Sequence, residues 1–226
     1  MLGLQNLQNI ILVSALLLPS AVLFITLHEL AHAWVADLQG DRTPRIDGRL
    51  SLDPRHHLDA YGFLAVFLTF GLHIGWGRTP KVDSRRLAGK LGEVGFSLAG
   101  PCANLLAAVA TGLAVRILSA GQCFLVPGPP GALQLILDLL QVAFYFNLVL
   151  VFFHLLPIPG LDGYRVLDIL FRRSNPRLFW WIDSNRTTIW VVCAVLVLVL
   201  PGLLGTYLGL TALPLGSWIS GCLPLI

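Results

Sequence analysis

The sequence predicts an all-α polytopic membrane protein, a bundle of about four to six transmembrane helices with a small re-entrant or β element after the first helix. Of 226 residues, 56% are hydrophobic and only 12% are charged, with a mean hydropathy of +0.77. A soluble domain carries about 25% charged residues. Several long apolar runs alternate with arginine-rich segments, the pattern of a chain that crosses a lipid bilayer repeatedly. The net charge of +3 indicates no nucleic-acid partner.

The first predicted span covers residues 9–38. At about 1.5 Å per residue, a helix of this length crosses a ~30 Å hydrocarbon core with length to spare. Pro19 is expected to kink it, and Gly40 is a plausible helix stop. The run lacks a basic N-terminal region, so we expect it to be retained rather than cleaved as a signal peptide.

The apolar stretch 60–76 is short, contains glycines and lies between two arginine-rich segments. A full crossing would put those segments on opposite sides, against the positive-inside rule. We therefore expect a re-entrant hairpin or strand pair, which is tolerated at membrane depth where protein or water covers the backbone. Within it, "WGRTPKV" (76–82) is a candidate edge strand for pairing with an extended peptide.

Three further spans are predicted at residues 94–118, 132–157 and 188–205. An uncharged turn follows the first of these and is placed outside, whereas the arginine-rich segment 165–186 is placed inside. The tail 206–226 is either a last span or a half-helix. The chain is interpreted as one transmembrane domain, 1–226, with a core at about 9–170 and accessory helices at about 187–226.

Polar residues interrupt the first span in "FITLHELAHAWVADL" (24–38). His28 and His32 are four residues apart, so both project from one helix face and can bind one Zn²⁺. Glu29 lies beside that face, where a carboxylate can take a proton from a water on the metal. Ionisable groups are costly in hydrocarbon, which favours a functional site. The alternative is a polar cluster that only holds helices together.

A catalytic zinc site has three protein ligands and an open position, so one more ligand is needed. Asp162 in "LLPIPGLDGYRVL" (155–167) is the candidate, because it is the single carboxylate between Asp138 and Asp168. It follows prolines that interrupt the helix at the inner end of a span. The alternative is an ordinary exposed loop aspartate.

HELAH, "GWGRTPKV" (75–82), "LAGPCANLL" (98–106) and "FNLVLVFFHLLPIPGLDGYRVL" (146–167) occur in that order. Together they resemble the site-2 protease family of intramembrane zinc metalloproteases, in a compact prokaryotic form without a PDZ domain. The resemblance implies one Zn²⁺ per chain on His28, His32 and Asp162, with Glu29 as the catalytic acid/base. The family often has a second glycine after the LDG motif, where this chain has Tyr164.

Single polar residues also occur inside apolar spans. Asn104 and Asn147 either bond to the substrate backbone or oxyanion, as the resemblance favours, or join helices. Gly100, next to Pro101, suggests a helix break or a close approach near Asn104. His154 shares a helix face with Asn147 and is either a support for the ligands or a rival third ligand.

The predicted substrate is a transmembrane segment of another protein, cleaved in or near the bilayer by a zinc metalloendopeptidase. A membrane metal-ion transporter and an inactive protease-like scaffold are the alternatives. A transporter is expected to show repeated halves, and the intact Glu29 argues against a scaffold. His28 and His32 lie near the inner helix end, which places the site toward the cytoplasmic side, in a prokaryotic inner membrane by the resemblance. His56 and His57, in the charged loop, are expected to be solvated.

Overall fold

Helices dominate this computed structural model, which describes residues 2–68, 76–119 and 131–221. In chain order they are α1 (Leu2–Leu38), α2 (Thr43–Ile46), α3 (Ala60–Leu68), α4 (Gly89–Leu118), α5 (Ala132–His154), α6 (Asp162–Phe171), α7 (Pro176–Ser184), α8 (Arg186–Val199) and α9 (Pro201–Ser220). The described residues contain no strand, which confirms the predicted all-α class for this part of the chain.

Three of the described helices are long and apolar enough to cross a membrane: Val13–Leu38, Gly89–Leu118 and Ala132–His154. They coincide with the predicted segments 9–38, 94–118 and 132–157. The finding is consistent with an integral membrane protein. A total of four to six spans stays a prediction.

The helix α4 lies at the centre of the bundle and packs against α1, α5, α6 and α9. One apolar core joins α1 to α5 and includes Leu17, Ala21, Ile25, Phe146 and Leu150. A second core joins α4, α5 and α9 through Ala108, Phe144, Leu148, Ala212 and Ile219. Because α1, α4 and α5 face one another, polar groups on their facing sides are enclosed by protein rather than by lipid.

The predicted span 188–205 differs from the structure, which has two helices in this region. The helix α8 ends at Val199, and Leu200 adopts φ −124° and ψ 63° before α9 begins at Pro201. Proline has no N–H to continue the first helix and disfavours the α conformation in the residue before it. It is well suited to the first turn of a new helix. The break between α8 and α9 was not predicted because the sequence is apolar on both sides of it.

The predicted re-entrant or β element is described only in part. After α3, the chain is described again from Trp76 onward, and residues 69–75, including His73, lie outside the described part. One isolated antiparallel bridge pairs Leu58 with Gly77, and Arg78 N–H donates to His57 O over 2.6 Å. The β element is thus not confirmed, because residues 76–82, the position of the candidate edge strand, have no regular secondary structure apart from this bridge.

His57 is buried, which shows that its predicted solvation was wrong. Its side chain is fully inaccessible, and Nε2 lies 2.8 Å from the carbonyl oxygen of Ser51. His56, by contrast, is exposed as expected. The His57 ring thus contacts the backbone of its own loop, and the backbone carbonyl of the same residue is bonded to the segment that begins at Trp76.

Candidate metal centre and catalytic cleft

The two histidines of the HELAH motif lie side by side on α1. His28 and His32 are separated by one helical turn, and their side chains point to the same face. Only 2% of His28 and 1% of His32 is exposed. Their Nε2 atoms are 3.2 Å apart. Two imidazole nitrogens are therefore presented together inside the bundle.

Asp162 is brought to the site by a tight reversal between α5 and α6. Gly160 has φ +98°, a left-handed conformation that favours glycine. Asp162 is the first residue of α6, and at the next position, Gly163, a Cβ atom would collide with the carbonyl oxygen of Leu155. The glycines thus let the start of α6 fold back onto the end of α5. Asp162 is buried, which contradicts the alternative of an exposed loop residue.

The carboxylate of Asp162 meets both imidazoles. Oδ2 lies 3.2 Å from His28 Nε2, and Oδ1 lies 3.4 Å from His32 Nε2. Zinc bonds of 2.0–2.1 Å in a tetrahedral arrangement place neighbouring ligand atoms about 3.3–3.4 Å apart. The two imidazoles are 3.2 Å from each other, and each lies at this spacing from one oxygen of Asp162, His28 from Oδ2 and His32 from Oδ1. The side chains of His28, His32 and Asp162 thus surround one small space, in which the carboxylate offers a different oxygen to each imidazole.

Gly100 of α4 borders the same space. A Cβ atom built on Gly100 would lie in contact with the Nε2 atoms of both His28 and His32. Only glycine leaves this volume free. The two atoms that border it, Nε2 of His28 and Nε2 of His32, are the atoms that can bind a metal. The predicted close approach near Asn104 is confirmed at Gly100, and the arrangement is a second sign that a metal fits at this point.

His154, the last residue of α5, also reaches the cluster. Its Nδ1 lies 3.0 Å from Asp162 Oδ2, and its ring centroid is 4.2 Å from that of His28. One ligand atom each from His28, His154 and Asp162 lies within 4.8 Å of the others. The hydrogen bond to Asp162 is that expected of a residue that orients the carboxylate. The proximity of His154 to His28 and Asp162 is also compatible with His154 being a metal ligand itself.

Glu29 lies beside these residues and is 1% exposed. Its side chain packs against Gly77. Among the described residues, its Oε2 atom has no hydrogen-bond partner. A buried polar atom is normally paired, so an unpaired carboxylate oxygen at this position is available for a ligand or a proton.

Glu29, His154 and Asp162 line one cleft of about 350 Å³. Trp76 and Trp190 line it as well, and their ring centroids are 5.7 Å apart. This ring pair joins the segment that begins at Trp76 to α8. The cleft is therefore bounded by parts of the chain that lie far apart in sequence.

The helix α4 supplies partners for the outer nitrogens of both imidazoles. His32 Nδ1 is 2.6 Å from the carbonyl oxygen of Phe96. A carbonyl oxygen can only accept, so this Nδ1 carries the proton and the Nε2 lone pair is directed toward Asp162. His28 Nδ1 is 3.0 Å from the amide nitrogen of Asn104.

Asn147 is fully buried on α5. Its Nδ2 donates to the carbonyl oxygen of Ala143 in the same helix, over 2.8 Å. Its Oδ1 has no partner among the described residues. The Asn147 amide is thus bonded to its own helix rather than to the imidazoles, and its contact with substrate stays a prediction.

Tyr164 replaces a glycine that the resembled family often carries. The Tyr164 hydroxyl donates to Asp183 Oδ1 over 2.7 Å, and Arg172 contacts Asp183 Oδ2 at 2.6 Å. The side chain thus ties the start of α6 to α7. The departure from the motif leaves the Asp162 carboxylate in place.

Comparison with known proteins identifies the family. Over 160 residues, the chain is 39% identical to "Putative zinc metalloprotease YwhC" of Bacillus subtilis, and the match covers 68% of each chain. The chain belongs to this zinc metalloprotease family. No family model and no solved structure matches it.

Other relatives in the zinc metalloprotease family carry the name Rip2. The chain is 30% identical to "Putative zinc metalloprotease Rip2" of Mycobacterium tuberculosis over 164 residues, and 33% identical to that of Mycolicibacterium smegmatis over 159 residues. These matches cover 68% of this chain and 56% of each relative. The chain thus spans little more than half the length of the Rip2 proteins.

The sequence does not predict several parts of this candidate site. Three contacts have no sequence signal of their own: Gly77 with Glu29, the Phe96 carbonyl with His32, and Trp76 with Trp190. The sequence shows only that Trp76 and Gly77 belong to the "GWGRTPKV" motif. Arg186, which also lines the cleft, lies in the arginine-rich segment 165–186, whose charge predicts only the orientation of the chain in the membrane. Backbone contacts and pairs between distant residues leave no periodic pattern.

Proposed function

We propose that the chain is an intramembrane zinc metalloprotease of the site-2 type, which hydrolyses peptide bonds in or near transmembrane segments of other membrane proteins. One observation carries the proposal. His28 and His32 lie 3.2 Å from each other and 3.2 and 3.4 Å from the two oxygens of Asp162, and Glu29, whose Oε2 atom has no hydrogen-bond partner among the described residues, lines the same cleft as Asp162.

In this proposal His28, His32 and Asp162 hold the zinc ion. The ion, when bound, lowers the pKa of water and polarises a carbonyl group. His154 donates a hydrogen bond to Asp162 Oδ2 and fixes the direction of the carboxylate, as outer partners of metal ligands do. The three-ligand arrangement leaves a position open for substrate.

Glu29 is the general base and then the general acid. Its Oε2 accepts a proton from the attacking water and later delivers that proton to the leaving amine. Burial between α1 and the chain at Gly77 holds the carboxylate in one place. Such positioning is a main part of the rate gain of an enzyme.

The proposed substrate is a transmembrane segment that unwinds locally. In an intact helix every interior carbonyl is already hydrogen-bonded, so attack requires extended chain. The cleft of about 350 Å³ is at the lower end of the range for small-molecule pockets and suits a few extended residues. The segment around Gly77, which forms one antiparallel bridge with Leu58, is the proposed backbone edge for pairing with the substrate. Helix-breaking residues in the substrate are therefore expected to speed cleavage.

The proposed location is a prokaryotic inner membrane with the site toward the cytoplasm. The YwhC and Rip2 relatives are bacterial proteins. His32 lies six residues before the end of α1, and the arginine-rich segment 165–186 follows Asp162 directly. Basic segments favour the cytoplasmic side.

The test is cleavage of a single-span substrate by the purified protein in zinc-loaded liposomes. Glu29→Gln is expected to abolish cleavage while zinc stays bound. The chain has one other glutamate, Glu93 on α4, and Glu93→Gln is a matched control that is expected to cleave normally. Retained cleavage in Glu29→Gln would contradict the role of Glu29. Metal flux without cleavage by the unaltered protein would favour a transporter, and zinc binding with neither activity would favour a scaffold.

A further inference from the structure

We propose that Asn104 is a positioning residue for His28, in which the amide oxygen Oδ1 accepts a hydrogen bond from the Nδ1–H group and holds the Nε2 lone pair toward the metal. The proposal rests on the zinc site of the proposed function. It assigns Asn104 a role different from the predicted contact with substrate or oxyanion.

The contact itself is short and fully enclosed. Asn104 has no exposed surface and His28 is 2% exposed. The Asn104 amide nitrogen lies 3.0 Å from His28 Nδ1. Among the described residues, Asn104 Oδ1 has no hydrogen-bond partner. One end of this buried amide thus contacts the imidazole of a proposed zinc ligand, whereas the other end has no partner among the described residues. The amide could therefore bond to the imidazole in either of its two orientations.

The chemistry of the amide and the imidazole decides between two orientations. An amide nitrogen can only donate a hydrogen bond. When Nδ2 of Asn104 faces the His28 ring, Nδ1 of His28 is therefore the acceptor, and the ring proton is on Nε2. That proton points toward Asp162 Oδ2 at 3.2 Å. A zinc ligand, however, needs a free lone pair on Nε2, which moves the proton to Nδ1. Nδ1–H then faces a donor.

A half-turn of the Asn104 amide removes this conflict. It places Oδ1 where Nδ2 lies, so that the Nδ1–H group of His28 has an acceptor. The structure gives His28 Nδ1 no other hydrogen-bond partner among the described residues. Outer partners of this kind fix the tautomer and the ring orientation of metal-binding histidines.

The second imidazole already has the equivalent arrangement. His32 Nδ1 is bonded to the Phe96 carbonyl oxygen at 2.6 Å. Phe96, Gly100 and Asn104 are spaced four residues apart on α4 and share one helix face. Once the Asn104 amide is rotated, that face meets each imidazole with an acceptor and leaves the metal space open between them.

A direct contact of Asn104 with substrate is disfavoured by its position. Asn104 has no exposed surface, and the cleft that contains Glu29 and Asp162 is lined by other residues. A group without surface in the cleft does not contact a substrate that is bound there. We therefore assign the influence of Asn104 to the imidazole that it contacts.

The test compares Zn²⁺ affinity of the purified full chain with that of two variants, by competition with a chromophoric chelator. Asn104→Leu removes the acceptor at similar volume and is expected to weaken zinc binding roughly 10- to 100-fold. Asn104→Asp keeps an acceptor oxygen and is expected to restore affinity to within a few-fold. Asn147→Leu, which removes an equally buried amide on α5, is the matched control and is expected to leave zinc affinity unchanged.

A second measurement does not depend on any variant folding. In the zinc-loaded wild-type protein, ¹⁵N NMR of the histidine side chains is expected to show His28 protonated at Nδ1 and metal-bound at Nε2. Unchanged zinc affinity in Asn104→Leu, or metal on Nδ1 of His28, overturns the proposal while the zinc site stands. A wild-type protein that binds no zinc overturns the zinc site itself.

Discussion

Gly77 lies directly against the side chain of Glu29, so closely that a Cβ atom on Gly77 would overlap the carboxylate group. The glycine belongs to the chain that is tied to the preceding loop by the bridge to Leu58. The position of the proposed acid/base is therefore set by backbone from another part of the chain, in addition to its own helix.

The variant Gly77→Ala is expected to displace Glu29 and to slow cleavage about 100-fold, because small misplacements of a catalytic group cost about this much. Zinc content should remain one ion per chain. Gly205→Ala is the control, since a Cβ atom there meets nothing within 4 Å. Full cleavage activity in Gly77→Ala would show that the contact does not position Glu29.

The variant Gly100→Ala is expected to abolish stoichiometric zinc binding, because the added methyl group fills the space beside the Nε2 atoms of His28 and His32. Metal content after gel filtration measures the effect, and a thermal unfolding curve checks that the variant is folded. Gly95→Ala, on the same helix with nothing within 4 Å of its Cβ atom, should bind zinc normally. One zinc per chain in Gly100→Ala would contradict the proposed metal position.

The role of His154 is tested by two replacements. His154→Phe removes the hydrogen bond to Asp162 and is expected to weaken zinc binding roughly 10- to 100-fold, as for other outer partners. His154→Asn places a donor near the position of Nδ1 and should lose less. His32→Ala, by comparison, should bind no zinc at a measurable level. If His154 is itself a ligand, both His154 variants should lose zinc to the same extent as His32→Ala.

Asp41, just beyond the end of α1, predicts an acid dependence of stability. It is fully buried and accepts hydrogen bonds from Thr43 N, Thr43 Oγ1 and Asp83 N at 3.0, 2.6 and 2.6 Å. Burial alone would raise the pKa of Asp41, but these hydrogen bonds outweigh it and lower the pKa below its ordinary 3.8. The stabilisation is present above the unfolded pKa and lost as the pH falls through the lower folded value.

Asp41→Asn places an amide N–H₂ group against one of these donors and is expected to lower stability at neutral pH by about 1–3 kcal/mol. Thermal unfolding in detergent from pH 7 down to pH 3 measures the difference from wild type. The difference should shrink only below about pH 3.8. Asp47→Asn, at an exposed position, is the control. A constant difference across this range would show that the Asp41 charge does not contribute.

The residues that meet at the candidate metal centre each leave a local signal in the sequence. His28 and His32 stand at helix spacing within an apolar run, and Asp162 stands alone in a stretch broken by proline and glycine. Ionisable groups in apolar surroundings are costly enough to indicate a site. The three apolar spans followed from length and composition alone.

The remaining features depend on contacts that composition does not encode. His57 looked solvated because its neighbours are charged, yet the fold encloses its ring and uses it as a hydrogen-bond partner. The break at Leu200 is not visible in the hydropathy pattern because the residues on both sides are equally apolar, and Pro201 is its local sequence signal. The approach of Gly77 to Glu29 is a contact between distant segments, on which helix and strand periodicity have no bearing.

The reversal at Gly160 has a consequence for how this protein matures. Two of the proposed ligands are made early in synthesis and the third only after two more long helices have been produced. Until Asp162 folds back onto the end of α5, the nascent chain lacks one of the three proposed ligands, and a catalytic zinc site requires three protein ligands. Under the proposed function, hydrolysis therefore begins only after α6 has folded onto the end of α5.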